Sequence, residues 1–93
     1  FKPFRSDNDY KRNYKYIQNY GITLDDYNIL FIEQNGCCKI CTKHQNEFKM
    51  KLSVDHNHST GEIRGLLCQK CNHGIGLFNE DKTIIKAVLE YLK

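Results

Sequence analysis

Ninety-three residues with five cysteines, four histidines and no long apolar run describe one small domain. A core of this size gives little margin of stability by itself, so a disulfide or metal staple is expected. The formal net charge of +3 comes from 14 Lys/Arg against 11 Asp/Glu. Four thiolates around one Zn²⁺ would add about two negative charges and leave the folded domain near neutral, so net charge does not single out nucleic acid as a partner. No secretory signal or membrane-spanning run is present, which argues against a membrane partner and for an intracellular, reducing compartment. The chain opens on Phe1-Lys2-Pro3 without an initiator methionine, so a fragment of a longer protein is an open reading.

The first third reads as two helices. Residues 7 to 19 can cap on Ser6 or Asp7, place Tyr10, Tyr14 and Ile17 at helical spacing, and stop at Gly21, where a left-handed residue costs glycine least. The tyrosines of this helix read as core and rim residues rather than a base-stacking platform. Thr23 offers the next N-cap, with Asp26 as capping-box partner. Leu24, Tyr27, Leu30 and Phe31 then make an apolar face that ends at Asn35-Gly36. Residues 42 to 49 are polar and aperiodic, as in a loop. Lys51 to Asp55 alternates, with Leu52 and Val54 on one side, and Glu62 to Leu67 returns as its partner across the Ser59-Thr60-Gly61 turn, giving a β-hairpin. Asn72 to Phe78 is expected as a short helix weakened by Gly74 and Gly76. Asp81 caps a last helix with Ile84, Ile85, Val88, Leu89 and Leu92 at helical spacing.

Cys38-Lys39-Ile40-Cys41 and Cys68-Gln69-Lys70-Cys71 are two Cys-x-x-Cys pairs separated by 26 residues, 42 to 67. That spacing matches a four-thiolate zinc site better than a disulfide framework. The fifth cysteine, Cys37, reads as a small half-buried thiol; its pairing with Cys41 at a zinc knuckle is a less usual spacing. Residues 37 to 73 hold six Lys/Arg against three acids. This is a modest basic surface able to meet phosphate, although scattered lysines also describe a solvated face.

The expected fold class is α+β: a small zinc-stapled ββα-metal domain with one β-hairpin flanked by helices. Residues 1–36 form a helical segment and residues 37–93 the zinc-bound core with its C-terminal helix, all in one compact domain. The run Val54-Asp55-His56-Asn57-His58, then Arg64-Gly65-Leu66-Leu67-Cys68 and Cys71-Asn72, resembles the recombination endonuclease VII family of His-Me (HNH-type) finger nucleases. The resemblance covers about residues 20 to 92 and is strongest from Val54 to Asn72. It implies a DNA endonuclease from a bacterial or phage-infected cell.

Phosphodiester hydrolysis needs an activated water, a Lewis acid on the scissile phosphate, and a frame that fixes both. An imidazole is largely neutral at physiological pH, which makes His56 the candidate general base, provided an acceptor holds its other ring nitrogen. Asp55 and Asn72 supply the oxygen donors that Mg²⁺ or Mn²⁺ prefers, and the resemblance implies these same roles. Neighbours on a regular strand point to opposite faces, so Asp55 and His56 can serve one phosphate only if the pleat breaks at the strand end. Such a break is expected before the turn. Taken singly, Asp55 could cap the turn and Asn72 could be an N-cap.

His58 belongs to the family motif and could contact phosphate or protonate a leaving group, or could be a turn residue. Arg64 matches the family's second-strand arginine and could bind phosphate or tie down the hairpin. His44 and His73 read as incidental, although His73 sits beside Asn72. The leading reading is a zinc-stabilised, Mg²⁺-dependent endonuclease; the other is a non-catalytic zinc module that binds nucleic acid or protein. Within the first, junction resolution, nicking and double-strand cutting remain open, as do a homodimer and a module of a larger protein. Only 22 residues, 72 to 93, follow Cys71, whereas family resolvases dimerise through a C-terminal region beyond the nuclease core.

Overall fold

The computed structural model describes residues 7–93; Ser6, one of the two expected caps of the first helix, lies outside the described residues. Four helices and a two-stranded antiparallel hairpin follow in the expected order: α1 (Asp7–Tyr20), α2 (Leu24–Glu33), β1 (Ser53–His56), β2 (Ile63–Leu67), α3 (Gln69–Leu77) and α4 (Lys82–Tyr91). One 3₁₀ turn, Gln45–Glu47, interrupts the expected loop, with His44 as its N-cap. The fold is therefore α+β, as the sequence indicates.

Gly21 ends α1 at φ +72°. The Thr23–Asp26 capping box is complete, with Thr23 Oγ1 accepting from the Asp26 N–H at 3.1 Å and Asp26 Oδ2 from the Thr23 N–H at 3.0 Å. Asn13 of α1 meets a further free N–H of α2, accepting from Leu24 at 2.8 Å. This bond ties the same side of α1 inward as the packing of Tyr16 and Tyr20 does. Tyr16 and Tyr20 pack toward the core, whereas Tyr10, Tyr14 and Ile17 are 62%, 59% and 43% exposed. The face expected to be buried from Tyr10-Tyr14-Ile17 spacing is thus the outer one, because two i, i+4 tyrosine pairs compete and Asn13 lies on the other side.

The core is small: Tyr27, Cys38, Leu52, Val54, Leu66, Leu67 and Cys68. Tyr16 stacks on Tyr27 with ring centroids 5.0 Å apart, and the Tyr27 hydroxyl donates to the Leu52 carbonyl. Burial first, and then neighbouring Tyr16, push the Tyr27 phenol up to about 12. A raised acid favours the neutral form in the fold, so its contribution is whole below about pH 10 and is lost as the pH climbs toward 12.

Register in the hairpin runs Ser53 to Leu67, Val54 to Leu66 and Asp55 to Gly65, then slips so that His56 faces Ile63. Arg64 is the extra residue, so the bulge lies on β2, opposite the Asp55–His56 step of β1. Gly65 sits beside this bulge at φ +152°, and a Cβ there would meet Lys39 Cδ at 2.7 Å and Gln34 Oε1 at 3.1 Å. Both the backbone angle and the close approach therefore favour glycine. The hairpin turn is closed by Asn57, whose Oδ1 accepts from the Ser59 and Thr60 N–H groups at 2.8 and 3.1 Å. Asp55 takes no part in it.

Cys68 caps α3, with its Sγ accepting from the Cys71 N–H at 3.4 Å. The helix thus starts at Gln69, three residues before the expected Asn72, and Asn72 lies inside it. The alternative of Asn72 as N-cap falls away. Helix α4 forms under Asp81, which accepts from the Thr83 and Ile84 N–H groups. Its apolar stripe is largely uncovered, however, with Leu89 and Leu92 at 62% and 73% exposure.

A side chain substitutes for a third strand at the outer edge of β2. Gln34 Oε1 accepts from the Leu66 N–H at 2.8 Å, and its Nε2 donates to the Leu66 and Cys37 carbonyls at 2.9 and 2.8 Å. Leu66 is fully buried, so removing Gln34 strands backbone groups away from water. Gln34→Ala is expected to destabilise the domain by about 1–3 kcal/mol in chemical denaturation.

Candidate functional site

Two clusters flank the hairpin. At its base, the Sγ atoms of Cys38, Cys41, Cys68 and Cys71 all lie within 4.8 Å of one another, and all five cysteines are free thiols. A Zn–S bond of about 2.3 Å implies a tetrahedral edge of about 3.8 Å, and Cys41 and Cys68 are 3.9 Å apart. The donor set is soft, four-fold and closed. It can hold a metal ion such as zinc.

Backbone geometry prepares the sulfurs. The Ile40 N–H points at Cys38 Sγ at 3.5 Å and the Cys71 N–H at Cys68 Sγ at 3.4 Å. Burial opposes ionisation of Cys38, but N–H groups of Cys68, Cys41 and Ile40 outweigh it and bring that thiol down to about 6. Burial, followed by the neighbouring sulfurs, pushes Cys71 up to about 12. One thiolate forms easily and the last resists, a conflict that a divalent cation removes by charge. Cys37 stands outside the cage, with its Sγ donating to the Asn35 carbonyl at 3.4 Å, so its pairing with Cys41 is not used.

At the turn end of the hairpin lies a polar cluster. Asp55, 8% exposed, accepts from Arg64 Nε at 2.8 Å and from Nη2 at 3.0 Å. The same Nη2 donates to Glu80 Oε1 at 2.6 Å and to the His56 carbonyl at 3.3 Å. Hydrogen bonds to Asp55 and then Glu80 push the guanidinium's pKa further up, so Arg64 stays charged. Glu80 Oε2 lies 3.2 Å from His58 Nε2. An unbroken chain of contacts therefore runs Asp55, Arg64, Glu80, His58.

The His56 ring stands beside this chain, 4.6 Å from the ring of His58 and 5.5 Å from that of Tyr20. The sequence reading expects an acceptor on its second ring nitrogen. Among the described residues none is bonded there, and aromatic contacts hold the ring instead. Asn72 is half-buried on α3, which packs against both strands; its backbone N–H donates to the Cys68 carbonyl at 3.0 Å, and its side-chain amide has no hydrogen-bond partner among the described residues. Asparagine inside a helix is locally unfavourable. His44 is structural, accepting from the Asn46 N–H at 3.1 Å, and His73 is exposed.

Sequence reasoning missed Glu80. It is 16 residues from Arg64 and follows Asn79 in a left-handed turn, both residues having φ +54°. The Glu80 N–H returns to the Ile75 carbonyl at 2.9 Å, which folds the chain back to the hairpin. No spacing rule flags such a residue.

The chain belongs to the recombination endonuclease VII family, which matches residues 13–93. Two relatives are phage proteins. The Gene 59 protein of Mycobacterium phage L5 is 43% identical over 77 residues, covering 82% of this chain and 46% of that protein. The Gene 59 protein of Mycobacterium phage D29 is 36% identical over 94 aligned residues, covering 100% of this chain and 55% of that protein. The chain thus spans about half the length of these curated relatives. No solved structure gives a significant match. Among the described residues, no helix is long and apolar enough to cross a membrane.

Metal analysis checks the cage. Cys37→Ser is expected to keep one zinc per chain and the parent circular dichroism, whereas Cys68→Ser, or strong chelation of the parent, is expected to release the metal and unfold the domain.

Proposed function

We propose that this domain is a metal-dependent DNA endonuclease in which His56 is the general base and Asp55 and Asn72 hold a catalytic Mg²⁺ or Mn²⁺. The observation that carries it is the bulge between Asp55 and His56 at the turn end of the hairpin, in a chain of the endonuclease VII family. The inserted residue, Arg64, lies on β2 opposite the two residues the chemistry needs together. When bound, the cation would stabilise charge on the scissile phosphate and leaving oxygen.

The protein's own groups do the rest. His56, only partly buried, accepts the proton of the attacking water, and the rings of Tyr20 and His58 fix its plane. His58, exposed and on Glu80, is placed to meet phosphate or the leaving oxygen. Asp55 spends its charge on Arg64 in this structure, yet each carboxylate oxygen has a second lone-pair direction, so a hard cation can share it. Arg64 can move to phosphate without losing charge. The sulfur cage, filled by Zn²⁺, holds the start of α3 and hence Asn72.

A non-catalytic zinc module is the second reading, favoured by one observation: Arg64 engages both oxygens of Asp55. Plasmid cutting separates the two. With Mg²⁺ or Mn²⁺, the parent is expected to cut and His56→Ala to be slower by about 100- to 10,000-fold, with zinc content and circular dichroism unchanged. Equal cutting by parent and variant would overturn the role of His56, and no cutting by the parent would favour the binding module.

Asn72→Ala tests the cation site separately. The Mg²⁺ concentration for half-maximal cutting is expected to rise by at least about tenfold while the zinc stays. An unchanged titration would remove Asn72 from the site.

A further inference from the structure

A groove of about 520 Å³ lies between α1 and the segment entering β1. Its lining includes Arg12, Lys15, Lys49 and Lys51 and not one acid. Across the whole chain cations barely outnumber acids, at 14 to 11, so four cations without a carboxylate mark a local excess. Lys15, Lys49 and Lys51 are exposed, and they make no ion pair among the described residues. Arg12 differs. It lies 5.6 and 5.5 Å over the Tyr16 and Tyr27 rings and donates to the Tyr16 hydroxyl at 3.2 Å, so packing holds its charge at the groove wall.

The groove leads to the candidate site. Tyr20 lines it, and the Tyr20 ring is 5.5 Å from that of His56. Along the chain, Ser53 in the groove is three residues before His56 and Lys51 is five, or about 10 and 17 Å at about 3.3 Å per residue. At about 3.4 Å of rise per nucleotide, those distances correspond to about three to five nucleotides of one DNA strand.

We propose that this groove binds the sugar–phosphate backbone of DNA on one side of the cleavage point, the strand passing Ser53 about three and Lys51 about five nucleotides from the cut, with Lys15 and Lys49 meeting phosphates in the same groove. Contacts of this kind are blind to base identity and set where the strand lies. The position relative to the cut rests on the nuclease reading; binding in the groove does not.

The test uses the zinc-loaded chain carrying His56→Ala, so that binding is measured without cutting. Lys15→Gln, Lys49→Gln and Lys51→Gln are added together, and Lys82→Gln, Lys86→Gln and Lys93→Gln on and after α4 serve as an equal-charge control. By fluorescence anisotropy with duplex DNA, the groove triple is expected to bind about 10- to 100-fold more weakly. Its slope of log affinity on log salt should be shallower by about 3 than that of the His56→Ala parent, with a smaller change in the control. Equal losses in the two triples would overturn the groove.

With His56 restored, the groove triple is expected to raise KM and leave kcat at saturating DNA unchanged. Neutral methylphosphonates three to five nucleotides to one side of the cut should weaken binding by the parent and not by the triple. A flat response at those positions would overturn the placement. If the parent binds through the groove but never cuts, the nuclease reading fails and the groove stands.

Discussion

Four sulfur atoms converging at the base of one short hairpin are the constraint on which the rest depends. They join a knuckle that follows α2 to the junction of β2 and α3, two places 27 residues apart at their closest sulfurs. Around them the buried apolar cluster among the described residues numbers seven, two of which are cage cysteines. Thiols can pack there as small apolar groups, but four thiolates would repel one another unless a cation sits among them. A metal here would supply folding free energy directly. It would also fix the first turn of α3, because Cys68 is both a cage member and that helix's N-cap.

From that base the geometry propagates in one direction. The Lys39 N–H, one residue past Cys38, donates to the Leu66 carbonyl at 3.1 Å, and Lys39 Nζ donates to the Arg64 carbonyl at 2.9 Å. The knuckle thereby braces β2 through the bulge. Gln34 braces the same residue from α2. Two supports meeting at Leu66 leave the hairpin little freedom to regain regular register, and the slip at Asp55 and His56 persists as a built feature.

Element order, the Thr23–Asp26 capping box and the cysteine cage were legible in the sequence, because each depends on residues close together or on a spacing with one physical meaning. A bulge does lie at the turn end of the hairpin, where the sequence placed an irregularity, but its inserted residue, Arg64, is on β2 and not on the strand that carries Asp55 and His56. What could not be read was which of two equivalent stripes wins. Tyr10 with Tyr14 and Tyr16 with Tyr20 have the same spacing, and only tertiary contacts tell them apart: Tyr16 stacks on Tyr27, and Asn13 accepts from the Leu24 N–H of the next helix. The α4 stripe is a related case: periodicity shows that a face is apolar, not that anything covers it. Glu80 was invisible for a third reason, since two consecutive left-handed non-glycine residues, each disfavoured alone, carry it back to the hairpin.

Glu80 also changes how the polar cluster is understood. Asp55 and Glu80 share one guanidinium, with Oδ1 of the first and Oε1 of the second bonded to the same Nη2. Two carboxylates and one cation leave a net charge of about −1, before His58 is counted. On the proposed reading, that residual charge draws a divalent cation toward Asp55 while Arg64 keeps the two acids from repelling each other beforehand. A lysine would not do the same. Its point charge cannot bond Asp55 through two nitrogens at 2.8 and 3.0 Å while reaching Glu80 at 2.6 Å. The planar fork of arginine is therefore what allows one residue to bond both acids at once while occupying the bulge.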